Sequence, residues 1–124
     1  MKRDPIKYIR DLCKSAYEKD TKCFICETTE ELQFHHFNSM TLLWNKWCKD
    51  SGLKIETEQD ILDNREQFRD KHKKEIYEDT VTLCKFHHMD RLHVIYGKCP
   101  PLNTAQKQKR WCQKQKDKYL LKEK

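Results

Sequence analysis

Residues 80–93 read TVTLCKFHHMDRLH, and the reading of Cys84, His87, His88 and His93 decides the fold. A short apolar run, Val81 to Leu83, leads into a cysteine, and paired histidines follow. The pattern predicts a strand over Thr80–Leu83 that turns into a helix near Lys85, with ligand-type side chains at the junction. The same chemistry occurs once more, near the front. Cys23 and Cys26 form C-x-x-C, and His35 and His36 close the run LQFHH. The fold is expected to bring these two patches together.

Composition supports an architecture that relies on metal. The chain has 124 residues, 36% hydrophobic and 37% charged, so one domain with a thin core is expected. A structural zinc contributes folding free energy directly, on the order of 10 kcal/mol in small fingers. With two glycines in all, a strand-rich fold with many tight turns is disfavoured. The seven cysteines are odd in number, and two sit in C-x-x-C. The start MKRDPIKYIR has no apolar signal segment, which favours reduced thiols serving a metal over disulfides. Cys13, Cys48, Cys99 and Cys112 lack ligand spacing and are expected to be buried or half-buried thiols. No apolar run approaches the roughly 20 residues of a membrane span.

Charge is concentrated at one end. Between Leu102 and Lys124 lie eight basic residues (Lys107, Lys109, Arg110, Lys114, Lys116, Lys118, Lys122, Lys124) and two acidic ones, a surplus equal to the net +6 of the whole chain. This segment is expected to be a helix, capped by Asn103 or Thr104, with Trp111, Gln115, Lys118 and Tyr119 along one flank. A basic helix suits a polyanion, although a solvated lysine-rich face looks the same.

Between these landmarks, helical spacing recurs. Asp4-Pro5 is a helix start, and Ile6, Ile9, Cys13, Ala16 and Tyr17 continue it to about residue 19. Glu31 to Phe37 reads as a strand. Ser39 caps a helix over 40–50, with Leu43, Trp44 and Trp47 on its core face. Thr57 caps another that runs to about Tyr77, with Ile61, Leu62, Arg65, Phe68, His72 and Ile76 near one side. His72 is expected to be a partly exposed helix histidine and not a ligand. Gly97 and Pro100-Pro101 break the chain before the last helix.

Cys23 and Cys26 form a knuckle from which two thiolates reach one zinc. Cys84 and His87 have the same offset, and the four residues make a closed Cys3His tetrahedral set. That zinc ties the two strands together. Neighbouring strand residues face opposite ways, so one of His35 and His36 can bind a metal while the other projects toward a ligand. His88 follows a zinc ligand and points away from it. His35 and His88 are therefore expected to meet at a second, open metal site, where substrate or water completes the set.

This arrangement resembles the HNH endonucleases, the ββα-metal nuclease family. The likeness covers Cys23 to Cys26, Leu32 to Phe37 and Val81 to about Gly97. The stretch HVIYGK followed by NTAQ is similar to the free-standing and intron-encoded HNH enzymes of phages. The resemblance implies a mostly α fold with a small β-hairpin: a ββα-metal core with zinc knuckles and added helices. It implies one domain over 1–101 with a helical insert at about 39–78, and 102–124 as its basic C-terminal helix. It implies His36 as general base, and His35 and His88 as ligands of a catalytic divalent ion (Mg²⁺, Mn²⁺, Ni²⁺ or Zn²⁺). The activity would be phosphodiester hydrolysis, most naturally in double-stranded DNA. The setting would be the cytoplasm of a bacterial or phage-infected cell. Lys107, Lys109, Arg110, Lys114, Lys116 and Lys118 would contact the DNA. A chain this small would nick, or pair as a homodimer to cut both strands.

The chain departs from the family pattern in three places. Asp79 stands where the asparagine of H-N-H is usual, five residues before Cys84; it can accept the same loop hydrogen bonds but not donate them. A further ligand is usual four residues after the helix histidine, whereas His93 lies five after His88, as a third ligand or a phosphate contact. The segment between His36 and Asp79 carries two extra helices, which add core or contact DNA. The rival reading is a catalytically inactive zinc-bearing DNA-binding or adaptor module, favoured by Asp79.

Overall fold

The computed structural model describes residues 4–122, so residues 1–3 and 123–124 of the expected domain lie outside the described residues. Two strands, β1 (Leu32–His36) and β2 (Thr80–Cys84), pair antiparallel, with Leu32 opposite Cys84 and His36 opposite Thr80. The rest is mainly helical, so the expected mostly α fold with a small two-stranded sheet is the observed one. The strands are not joined by a tight turn. The helices between them form a layer of their own.

That layer explains the insertion. Helix α1 (Pro5–Cys13) starts where Asp4 accepts the Ile6 N–H at 3.2 Å, and it buries Ile6, Tyr8, Ile9 and Cys13. Helix α2 (Met40–Asp50) is capped by Ser39 and buries Met40, Leu43, Trp44 and Trp47. Helix α3 (Glu58–Lys71) begins with a capping box, in which Thr57 and Asp60 each hold the other's backbone N–H. Its Phe68 is fully buried, with ring centroids 5.3 Å from Trp44 and 5.6 Å from Trp47. These residues form one core with Ile61 and Ile76, so the inserted helices supply packing.

Two expected helices are shorter. The first ends at Cys13, and a 3₁₀ turn over Lys14–Ala16 leads into extended Tyr17, whose ring stacks on Phe34 at 4.7 Å. The one expected to reach Tyr77 stops at Lys71. His72 caps it, with Nδ1 bonded to the Phe68 carbonyl at 2.9 Å and its ring against Phe68. The chain then makes a π-turn over Lys74–Glu78, which keeps Ile76 in the core and delivers Asp79 to the start of β2.

A second core lies across the sheet, formed by Cys23, Ile25, Phe37, Leu83, Cys84, Leu92, Ala105 and Cys112. A wide π-turn over Phe86–Leu92 runs into α4 (His93–Tyr96). A 3₁₀ turn over Leu102–Thr104 starts α5 (Ala105–Lys122), where Thr104 Oγ1 donates to the Pro101 carbonyl instead of capping the helix. The packed face of α5 is Ala105, Gln108 and Cys112; Trp111 and Gln115 are half-buried, and Lys118 and Tyr119 are exposed. Cys13 and Cys112 are buried and Cys48 is half-buried, but Cys99 is exposed, against expectation, because it follows the break at Gly97. No helix among the described residues is long and apolar enough to cross a membrane.

Truncating Phe68 to alanine removes the ring that the two tryptophans pack on. It should cost about 3–5 kcal/mol of unfolding free energy, read from urea denaturation. The metal content of the native protein should equal that of wild type, since the second core is separate.

Candidate functional site

The C-x-x-C knuckle is a tight turn. Cys23 N–H bonds to the Thr28 carbonyl at 2.9 Å, Glu27 N–H bonds to the Cys23 carbonyl at 2.9 Å, and Glu27 itself takes φ +62°. The pairing of β1 with β2 brings Cys84 and His87 alongside. Cys26 and Cys84 sulfurs are 3.8 Å apart, Cys84 Sγ is 3.3 Å from His87 Nδ1, and Cys23 Sγ is 3.9 Å from the same nitrogen. A tetrahedral zinc with bonds of about 2.3 Å gives sulfur–sulfur edges of about 3.8 Å. The four residues therefore match the spacing that a zinc ion would require, with His87 offering Nδ1.

Electrostatics agree. Burial acts to raise the Cys23 thiol, but backbone hydrogen bonds from Cys26, Cys84 and Ile25 outweigh it, so ionisation becomes easier. Burial pushes the Cys26 thiol up to about 11, and the neighbouring Cys23 and Cys84 sulfurs add to this. Crowded thiols resist shedding protons together; a cation among them reverses that.

The second cluster is His35, His88 and His93, whose ligand atoms lie within 4.8 Å of one another. His35 Nδ1 is 3.0 Å from His88 Nε2, and His93 Nε2 is 3.0 Å from the same atom. The outward nitrogens are already taken. His35 Nε2 meets Gln108 Oε1 at 2.8 Å, His88 Nδ1 meets Gln33 Oε1 at 2.8 Å, and His93 Nδ1 meets the Gly97 carbonyl at 2.7 Å. Oxygen acceptors require N–H on those outward atoms. A neutral imidazole has one donor and one acceptor, so each inward nitrogen carries a lone pair. Converging lone pairs need a proton or a cation between them.

A proton is disfavoured. Burial holds His35 down to about 3, and burial with the neighbouring His93 holds His88 down to about 4. A divalent ion fits instead: bonds of about 2.1 Å give nitrogen–nitrogen edges of about 3.0 Å for a facial octahedral set. Such a set leaves positions open.

The place of His93 follows from the wide turn. Its N–H bonds to the His88 carbonyl, a five-residue hydrogen bond. On a regular α-helix a side chain five positions on would be rotated about 100° further than one four positions on. The π-turn absorbs the extra residue and keeps both rings on one face.

His36 sits at the end of the same strand but on its other face. Its ring packs edge-on against Tyr17 and Phe34, with centroids 5.0 and 5.2 Å apart. Burial holds it down to about 4 against a hydrogen bond to the Ile76 backbone, and Arg10 adds to the lowering. Its Nε2 is buried and has no hydrogen-bond partner among the described residues. Both faces of the strand end open into one cleft of about 170 Å³, whose walls include His36, the three clustered histidines, Arg10 and Lys98. Arg10 and Lys98 are exposed cations that the sequence reading did not single out.

Asp79 lies outside the histidine cluster. Its carbonyl accepts the Phe37 N–H at 3.1 Å, its carboxylate accepts the Asn38 amide at 3.5 Å, and Lys109 Nζ donates to it at 2.8 Å. It braces the loop that follows His36. Lys109 is thereby committed, and Lys116 lies 4.3 Å over the Phe24 ring. Lys107, Arg110, Lys114 and Lys118 remain exposed. Gln33 and Gln108 were also missed. Gln33 lies two residues before His35, on the same strand face, a signal that was available. Gln108 lies far along the chain and carried none.

Two outcomes follow. Purified protein should hold about one tightly bound Zn²⁺ per chain, and Cys84→Ser should remove it, read by elemental analysis. Protein stability should fall as pH drops. His35, His36 and His88 are folded in the neutral form, while the unfolded chain takes up protons below about pH 6.5, so stability is greatest above that pH. Each contributes a slope of up to about 1.4 kcal/mol per pH unit between its folded and unfolded values. Urea midpoints at pH 7.5, 6 and 5 should decline in that order.

Comparison with known proteins bears on what this arrangement is for. A family model described as the nicking endonuclease family, of the Phage T5 nicking endonuclease type, matches residues 1–123. No solved structure matches the chain.

Proposed function

The chain belongs to the Phage T5 nicking endonuclease family and is a nuclease on that account; from this premise, we propose that it nicks double-stranded DNA by an HNH-type, metal-dependent hydrolysis in the cleft that His36 shares with His35, His88 and His93. The observation that carries the reading is the convergence of three inward nitrogen lone pairs beside a fourth, unpartnered histidine nitrogen in one cleft.

Each residue has a distinct task. His36, neutral at physiological pH with Nε2 free, accepts a proton from the attacking water. Its ring is fixed by Tyr17 and Phe34, so the accepting lone pair does not wander. His35, His88 and His93 would hold the divalent ion. That ion, when bound, supplies positive charge beside the phosphate and the departing 3′ oxygen. Arg10 and Lys98 stand on the cleft wall, where non-bridging phosphate oxygens would lie. Asp79 positions the loop behind His36 and does not touch substrate. Its carboxylate and carbonyl perform the bracing that an asparagine would, which argues against an inactive module. The Cys3His zinc holds the scaffold.

The exposed cations of α5 (Lys107, Arg110, Lys114 and Lys118) supply sequence-independent attraction to the backbone, while Lys109 and Lys116 serve the fold. One cleft per chain suits one strand per encounter, so a single copy suffices for nicking and a homodimer is not required.

The test uses supercoiled plasmid with Mg²⁺, Mn²⁺ or Ni²⁺. Open-circular product should accumulate ahead of linear. His36→Ala should lower the rate about 10²–10⁴-fold with zinc content unchanged. A variant that nicks at the wild-type rate would remove His36 as the base.

A further inference from the structure

Each ring of the histidine cluster is held from outside by a neutral oxygen, and these oxygens come from three parts of the chain: Gln33 on β1, the Gly97 carbonyl after α4, and Gln108 on α5. Gln108 is 0% exposed, although it belongs to a segment whose other long polar side chains mostly reach solvent. Its carboxamide is fully used. Nε2 donates to the Phe37 carbonyl at 3.1 Å and to Thr104 Oγ1 at 3.0 Å, while Oε1 accepts from His35. Exchanging the amide's oxygen and nitrogen would set N–H against an imidazole N–H and oxygen against a carbonyl, so the orientation is determined. Among the described residues, Gln33 makes one side-chain hydrogen bond, to His88.

We infer that Gln33 and Gln108 are positioning residues of this centre, which fix the tautomer and ring angle of His88 and His35 so that both inward nitrogens present lone pairs to a divalent ion. The inference rests on the reading of the three histidines as the catalytic ion site. Outer partners of metal-bound histidines raise ligand basicity and set orientation, and a carboxylate is a common choice. Here both side-chain partners are uncharged. Three neutral rings with neutral partners leave the loaded centre with the full charge of its cation, which favours an incoming phosphate diester. A carboxylate at Gln33 would orient its ring equally well but cancel part of that charge, whereas at Gln108 it would also set an oxygen against the Phe37 carbonyl. Helix α5 is therefore part of the centre as well as a basic surface.

The test titrates the full-length, zinc-bearing protein with Mn²⁺ or Ni²⁺ by calorimetry, and reads histidine ¹⁵N shifts before the ion is added. Gln33→Leu and Gln108→Met should each weaken ion binding about 10–100-fold with zinc content unchanged. The ¹⁵N shifts of His88 or His35, respectively, should move from one tautomer toward a mixture. Gln33→Glu should bind the ion at least as tightly as wild type while its nicking kcat falls. Should Gln108→Met fail to fold, Gln33→Leu still decides, because that side chain is half-buried and makes no other hydrogen bond among the described residues. Wild-type affinity and unchanged His88 shifts in Gln33→Leu would overturn the inference, and an undiminished kcat in Gln33→Glu would overturn its charge argument. If His88→Ala binds the ion as wild type does, the reading beneath it fails instead, whatever the glutamine variants do.

Discussion

Five residue pairs of antiparallel sheet hold this molecule in its working arrangement. The register that sets Leu32 opposite Cys84 and His36 opposite Thr80 fixes which cysteines meet and which histidines face each other. A slip of one residue would turn every side chain on the moved strand to the other face. His35 would leave His88, and Cys84 would leave the knuckle. A two-stranded sheet is marginal alone. Its ends lie beside other contacts, the approach of the Cys26 and Cys84 sulfurs at 3.8 Å and the Phe37–Asp79 backbone bond beyond His36. The register thus decides which of these side chains can meet.

The parts of this plan that were legible in the sequence are those whose chemistry is local. C-x-x-C, C-x-x-H and the double histidine each place ligand-type side chains within one turn, and the structure gathers them into two clusters. The caps at Asp4, Ser39 and Thr57 were equally readable, because capping is settled within a few residues. What escaped was set by distant partners. Ile76 continues the apolar spacing of α3, yet the chain leaves the helix at His72, because Asp79 must reach the loop after β1. Gln108 reads as one more polar residue in a polar helix, and only the fold puts it under His35.

The basic segment shows why charge alone is a coarse guide. Its surplus is real, but two of its lysines are engaged within the fold, one on Asp79 and one over Phe24. Lys107, Arg110, Lys114 and Lys118 are exposed on a helix anchored by Ala105, Gln108 and Cys112. Likewise the inserted helices, which length alone could not assign to core or to surface work, close around Phe68 and the tryptophan pair.

The wide turn between His88 and His93 records how a helix accommodates a change in length. A π-turn is what remains when one residue is added to an α-helix and neither end is allowed to rotate. Removing one residue from Met89–Arg91 would return the segment to ordinary helical winding with both histidines still on one face. The two spacings are therefore interchangeable solutions to one geometric demand. A sequence pattern that insists on a fixed interval between these histidines would pass over chains that meet that demand by the longer route.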